Sequence, residues 1–225
     1  MSAALAPAAD ETLEDLLRQI GSVPLSRIPK VPAPGTATEQ DVVAALEAVD
    51  KRLYELVDGV LVEKPMGYYE SWLAMILAKS LGNYLDEHNL GIALGEAGAL
   101  QLTPGLVRIP DVSFISWERL GGRRLPRKKV PALAPDLAVE ILSESNTRAE
   151  ISRKLDDYFG AGTRLVWVVD PVPRSAAVHK SPTEFVIVTV DGTLDAEDVL
   201  PGFRVSMRDW FERAGEFEST DGDSE

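Results

Sequence analysis

The sequence predicts an α/β (α+β) fold, and three observations predict it. Tyr68–His88 carries Trp72, Leu73, Ile76, Leu77, Leu81, Tyr84 and Leu85 at helical spacing, a broad apolar face. The runs Val107–Ile115, Leu137–Leu142 and Arg164–Asp170 are short, apolar and rich in β-branched residues, as strands are. Between the last two lies a second helical stretch, from about Thr147 to Gly160, with Ile151, Leu155, Tyr158 and Phe159 along one arc.

The remaining elements follow in order. Thr12–Ile20 suits a short helix, with Leu13, Leu16, Leu17 and Ile20 on one side. Residues 1–37 are rich in Ala and Pro and read as a partly flexible N-terminal extension, PLSRIPKVPAPG being its plainest linker. Order resumes at Thr38, where T-x-x-D opens a helix striped by Val42, Leu46, Val49 and Leu53. Leu53–Glu63 reads as a hairpin about Asp58-Gly59. Two strands, Ile92–Leu102 and Val107–Ile115, follow the long helix, separated by Pro104-Gly105. Ala176–His179 and Glu184–Val190 are later strands, and a short helix precedes the acidic segment 214–225, which is expected to be disordered. Residues 38–213 are the expected folded domain.

Bulk properties exclude several classes. The chain of 225 residues is 45% hydrophobic and 26% charged, values of a soluble globular protein. Without cysteine it has neither disulfides nor thiolate metal sites, and a reducing cytoplasm is the expected location. Its first residues lack a basic start and an apolar run, so no signal peptide is expected. No segment has the length of a membrane span. The net charge of −13 argues against nucleic acid as a partner until its distribution is considered. Most of it sits in the first 50 and last 14 residues. The central stretch instead holds RLGGRRLPRKK, in which Arg119, Arg123, Arg124, Arg127, Lys128 and Lys129 stand without an acid. That stretch is either a solvated loop or a basic arm that meets phosphates beside a site.

Two acids occupy strand positions where aliphatic residues are expected. Asp111 alternates with Ser113 and Ile115, and Glu140 shares a strand face with Ala138 and Leu142. A glutamate in so apolar a strand is costly unless it is paired or metal-bound. A second Pro-Asp, Pro135-Asp136, competes with Pro110-Asp111. Asp136 precedes Glu140 by four residues, about 13 Å along one strand, whereas ligands of one Mg²⁺ each lie within about 2.1 Å of it. Lys154 falls beside the buried arc of its helix and can extend its ammonium towards the strand ends. Two acids on paired strands with a lysine folded over them suit a divalent metal holding a phosphate.

The chain resembles the PD-(D/E)xK nuclease superfamily, in particular its bacterial family of restriction-endonuclease-like proteins of the Uma-two type. The matching blocks are YELVDG at 54–59, RIPDVSFIS at 108–116, APDLAVEILSESNT at 134–147, KLDDYFGAGTRLVWVVDP at 154–171 and LPGF at 200–203. The resemblance implies a restriction-endonuclease-like mixed β-sheet core flanked by helices, with an N-terminal helix and hairpin. It also implies cleavage of DNA phosphodiesters dependent on Mg²⁺ or Mn²⁺. Asp111, Glu140 and the Ile141 carbonyl are the implied metal ligands, with Glu55 and Glu70 as further acids. Asp111, Glu140 and Lys154 are the implied catalytic set. Here the chain departs from the simplest pattern, because Leu142 stands where a lysine is expected two residues after Glu140. The resemblance offers Lys154 as the migrated equivalent. The missing lysine and the acidic balance favour an alternative, a catalytically silent module that binds nucleic acid or protein. A metal-dependent hydrolase of other phosphoesters is a third option. No membrane partner is expected, and a homodimer is compatible with the chain.

Overall fold

The computed structural model describes residues 12–50, 52–65 and 67–215. Helix α1 (Leu13–Gln19), a 3-10 turn at Leu25–Arg27 and helix α2 (Glu39–Glu47) come first. The hairpin β1 (Tyr54–Val57) and β2 (Val60–Glu63) leads into the long helix α3 (Tyr68–His88). Four strands follow: β3 (Gly91–Gly95), β4 (Leu100–Thr103), β5 (Leu106–Arg108) and β6 (Val112–Ser116). A long loop reaches β7 (Leu137–Ile141), then α4 (Arg148–Gly160), β8 (Leu165–Asp170), β9 (Ser175–His179) and β10 (Phe185–Val188). The pair β11 (Thr193–Asp195) and β12 (Arg204–Ser206) precedes α5 (Met207–Ala214).

These strands form a six-stranded sheet of order β10-β9-β8-β7-β6-β3 and a four-stranded sheet of order β2-β1-β5-β4. The larger sheet is mixed. β7 and β8 run parallel, joined by the crossover helix α4, while its other neighbours are antiparallel. Its two faces bury different residues, as the period of two along a strand requires. Leu137, Val139 and Ile141 of β7 pack with Leu73, Leu77 and Leu81 of α3 and with Trp210 and Phe211 of α5. On the opposite face Ala138, Val166 and Val168 lie under Leu155 and Tyr158 of α4. Each fully buried Leu or Val contributes about 1.5–3 kcal/mol, so both helices are fixed to the sheet.

Two strands expected to be continuous are each broken, and the breaks create the site. Ile92–Leu102 divides into β3 and β4, and Val107–Ile115 divides into β5 and β6, with one half of each in either sheet. At the second break Pro110 has no N–H to give a ladder, and at the first the Gly98 N–H turns back to the Gly95 carbonyl at 2.9 Å. Both chains therefore cross from one sheet to the other side by side.

The hairpin turn is as expected: Asp58 and Gly59 both take positive φ, 49° and 72°, the pattern of a two-residue type I′ turn. A Cβ on Gly59 would also lie 2.6 Å from the Gly35 carbonyl, so the N-terminal chain presses on this turn. Residues 12–37 are no appendage, since Ile20 and Val23 are buried against Val57, Val60 and Val62. Arg27 pairs with the buried Glu150 of α4 at 2.8 Å. The Ala/Pro composition that suggests a partly flexible extension conceals a few well-spaced apolar residues. Residues 1–11 and the acidic segment from 216 onwards lie outside the described residues.

Candidate active site

The site forms where the two sheets meet. Asp111 occupies the corner between β5 and β6. Its N–H donates to the Val139 carbonyl at 3.0 Å, continuing the β6–β7 ladder by one residue. Its Oδ2 accepts the Ile141 N–H at 2.6 Å, and its Oδ1 lies 2.9 Å from Lys64 Nζ. Lys64, just beyond β2, also donates to the Ile109 carbonyl at 2.6 Å. Glu140 projects from β7 towards α4. One of its oxygens takes Lys154 Nζ at 2.7 Å and the other accepts the Tyr158 hydroxyl at 2.5 Å. Lys154 and Tyr158 are one helical turn apart, so one carboxylate meets both.

The four-stranded sheet supplies the third acid. Glu55 of β1 is fully buried. It accepts the Ile109 N–H at 3.0 Å, pairs with Arg108 at 2.7 Å and stands 3.3 Å from Lys154 Nζ. Arg108 in turn binds Asp157 of α4 at 2.5 Å. Lys154 thus bridges the two sheets through Glu55 and Glu140.

Electrostatics give these groups different characters. Burial alone would raise the Glu55 pKa, but Lys154, Arg108 and the Ile109 N–H outweigh it and hold it at about 2. Glu140 is raised instead, by burial first and then by the charges of Asp111 and Glu55, which Lys154 offsets only in part. Burial opposes the charge of Lys154, yet Glu140 and Glu55 keep its pKa above the usual lysine value. Tyr158 is pushed well up by burial and by Glu140, so it stays a neutral donor. Lys154 is a firm cation, and Glu140 is pushed towards its neutral form where Glu55 is held as an anion.

The structure brings together Glu55, Asp111, Glu140, Ile141 and Lys154 of the expected set. Glu70 folds back on the start of α3, where a Cβ on Gly67 would strike its carboxylate. An acid there complements the helix dipole. Among the described residues no group of three acids or histidines is arranged to hold a metal ion. The basic stretch leaves from the C-terminal end of β6, about 16 Å along the strand from Asp111. Within it Arg119 binds Asp136 and the Gly162 carbonyl, Lys129 binds Glu47, and Arg123 lies over the Trp117 ring. Arg124, Arg127 and Lys128 are exposed.

The family model of Uma2, described as putative restriction endonuclease, matches residues 43–208. The chain belongs to this family. Among solved structures, the Uma2 chain is similar to a putative nuclease belonging to DUF820 from Anabaena variabilis. The TM-score is 0.64 at 19% identity, covering 73% of this chain and 92% of that one. That likeness shows a shared fold. Comparison with curated proteins gives no match. The region matched by the Uma2 model includes every residue of the network from Glu55 to Tyr158, and it leaves out α1 and Arg27.

Four members of the Uma2 network, Tyr158, Arg108, Asp157 and Lys64, are not among the site residues that the sequence singles out. Tyr158 carried a signal, lying four residues after Lys154 on the helical period. Arg108 carried one too, as a charge in an apolar strand three residues before Asp111. Lys64 carried none, since its partner belongs to a segment 47 residues later and meets it only through the sheet junction.

Proposed function

We propose that this Uma2 chain is a divalent-metal-dependent endonuclease that hydrolyses DNA phosphodiester bonds. The observation that supports it best is Lys154 seated on Glu140 beside Asp111. An ammonium from α4 there stands in for the lysine that Leu142 replaces. The donor set fits Mg²⁺ or Mn²⁺ in kind: two carboxylates and a strand-end carbonyl are hard oxygen ligands. It fits as a two-acid site, Asp111 and Glu140 with the Ile141 carbonyl, and Glu55 serves to position Lys154. A bound Mg²⁺ or Mn²⁺ supplies a Lewis acid for a phosphate oxygen and lowers the pKa of a bound water.

The chain's own residues do the rest. The Ile141 N–H fixes the Asp111 carboxylate, and Tyr158 fixes that of Glu140. Lys154, held charged by two acids, places a cation beside the phosphate and stabilises the negative charge that develops on its oxygens. Hydrolysis of this class leaves a 5′-phosphate and a 3′-hydroxyl. The catalytically silent reading rests on the occupancy of both carboxylates, since each oxygen of Asp111 and of Glu140 already has a protein partner. A plasmid nicking assay with Mg²⁺, Mn²⁺ and chelator separates the two. Metal-dependent nicking that disappears in Asp111→Asn supports the nuclease, and DNA retention without nicking at any metal concentration supports the silent module.

A further inference from the structure

Two lysines reach the acids of this site, and they are held differently. Lys154 has carboxylates on two sides, Glu140 at 2.7 Å and Glu55 at 3.3 Å. Lys64 has one carboxylate, Asp111 at 2.9 Å, and one neutral carbonyl, that of Ile109. Lys64 also borders a groove of about 460 Å³, shared with Arg27, Arg52, Ser145, Asp50 and Glu63. Arg27 is committed to Glu150, and Arg52 lies 3.3 Å from each of Asp50 and Glu63. The groove therefore offers Lys64 space and a polar wall.

Asp111 has two oxygens, and their roles differ. Oδ2 is taken by the Ile141 N–H inside the strand ladder. Oδ1 is held by Lys64 instead. A divalent cation on Oδ1 would face the Lys64 ammonium at a separation where like charges repel strongly. One of them must yield. A four-carbon stem ending in a compact charge can swing by several ångströms without backbone change.

We infer that Lys64 is a tethered counter-ion of Asp111, which leaves that carboxylate for the groove when a divalent cation binds. There it gains a phosphodiester of the substrate strand as its new anion. The inference rests on the metal-dependent reading of the site. It makes Lys64 a positioning residue that couples cation entry to the arrival of a polyanion, and keeps Asp111 neutralised in the interval.

The test is a Mn²⁺ titration by calorimetry on the full chain, with melting curves in chelator and in Mn²⁺. Lys64→Gln retains a donor for the Ile109 carbonyl, and Lys64→Met removes it. Both variants are expected to bind Mn²⁺ at least about fivefold more tightly than the parent, the lower range of coupling between linked sites. Both should melt lower in chelator and gain more in melting temperature from Mn²⁺. If Lys64→Met does not fold without metal, Lys64→Gln carries the measurement. Mn²⁺ binding that depends on Asp111 but is equal or weaker in the Lys64 variants overturns the inference alone. No Mn²⁺ binding in the parent, or binding that survives Asp111→Asn, overturns the metal-dependent reading and the inference with it.

Discussion

The two Pro-Asp dipeptides of this chain stand at opposite ends of one strand pair and are built alike. Asp111 gives its N–H to Val139 and takes the Ile141 N–H on its carboxylate. Asp136 gives its N–H to Phe114 and takes the Ser116 N–H on its carboxylate. Each aspartate extends the β6–β7 ladder by a residue and then substitutes its side chain for the next carbonyl. Each also holds a cation, Lys64 or Arg119. What differs is the company. Glu140, Glu55, Lys154 and Tyr158 gather at the Asp111 end, because a second sheet and α4 close over it. The Asp136 end opens onto a broad groove of about 890 Å³ with Arg119 and Arg164. A Pro-Asp is a strand-end device in this fold, and a second acid on the same edge turns it into a candidate site.

The largest expected effect breaks that symmetry directly. Asp111→Asn should reduce metal-dependent nicking to assay background, while Asp136→Asn should retain it per folded molecule. Both should lose about 1–3 kcal/mol in denaturant melts, since each leaves a cation short of its carboxylate. The Lys64 contact rules out the simpler expectation that neutralising Asp111 relieves crowding and stabilises the metal-free chain. Equal activity losses in the two variants would mean that the site is misplaced.

Lys154→Met comes next. Loss of a charge-stabilising donor predicts a fall in turnover of at least about a hundredfold. The apolar stem of methionine does not make this a silent change in stability. Glu140 and Glu55 are both buried and would lose their shared cation, at a cost of about 3–5 kcal/mol. Turnover must therefore be referred to the folded fraction measured by circular dichroism. Lys180→Met, which removes only an exposed pair with Glu197, is the control and should be silent. Undiminished turnover in folded Lys154→Met would transfer the cationic role to Lys64. Arg153 is already committed to Asp58 and Asp157.

Removal of residues 1–37 should affect only the Asp111 end. It would uncover Val57, Val60 and Val62 and leave Glu150 without Arg27, a buried partner whose loss costs up to about 3–5 kcal/mol. The shortened chain should melt less cooperatively than the parent, and Arg27→Ala should reproduce much of the loss. A shortened chain with an unchanged melt would restore the separable extension that the sequence suggests.

Which of these features were legible beforehand follows from the range of the interactions. The helices α3 and α4, the Asp58-Gly59 turn and the two faces of β7 are local periodicities, and the sequence carries them openly. The pairing of Lys154 with Glu140 was within reach, because helix and strand are adjacent in the chain. The breaks at Gly98 and Pro110 were not. Continuous apolar runs conceal a change of sheet, which tertiary packing decides. Lys64 and the burial of Ile20 depend on that same junction.

The smallest expected effect asks whether the Asp136 end also meets nucleic acid. The basic stretch issues from that end, but its six cations are not equivalent. Arg119 is bound to Asp136 and to a backbone carbonyl, so replacing it would test folding, and it should be left intact. Lys129 has Glu47 at 2.6 Å, a half-exposed pair that salt screens. Arg123, Arg124 and Lys128 are therefore the main phosphate-accessible charges removed by a variant with Ala at 123, 124, 128 and 129. Duplex DNA binding should weaken, and the slope of log affinity against log salt should fall by about 0.9 for each phosphate no longer neutralised. Nicking under saturating DNA should be unchanged, since none of the four touches Asp111, Glu140 or Lys154. An unchanged slope would confine nucleic acid to the Asp111 end and leave the loop as a solvated face.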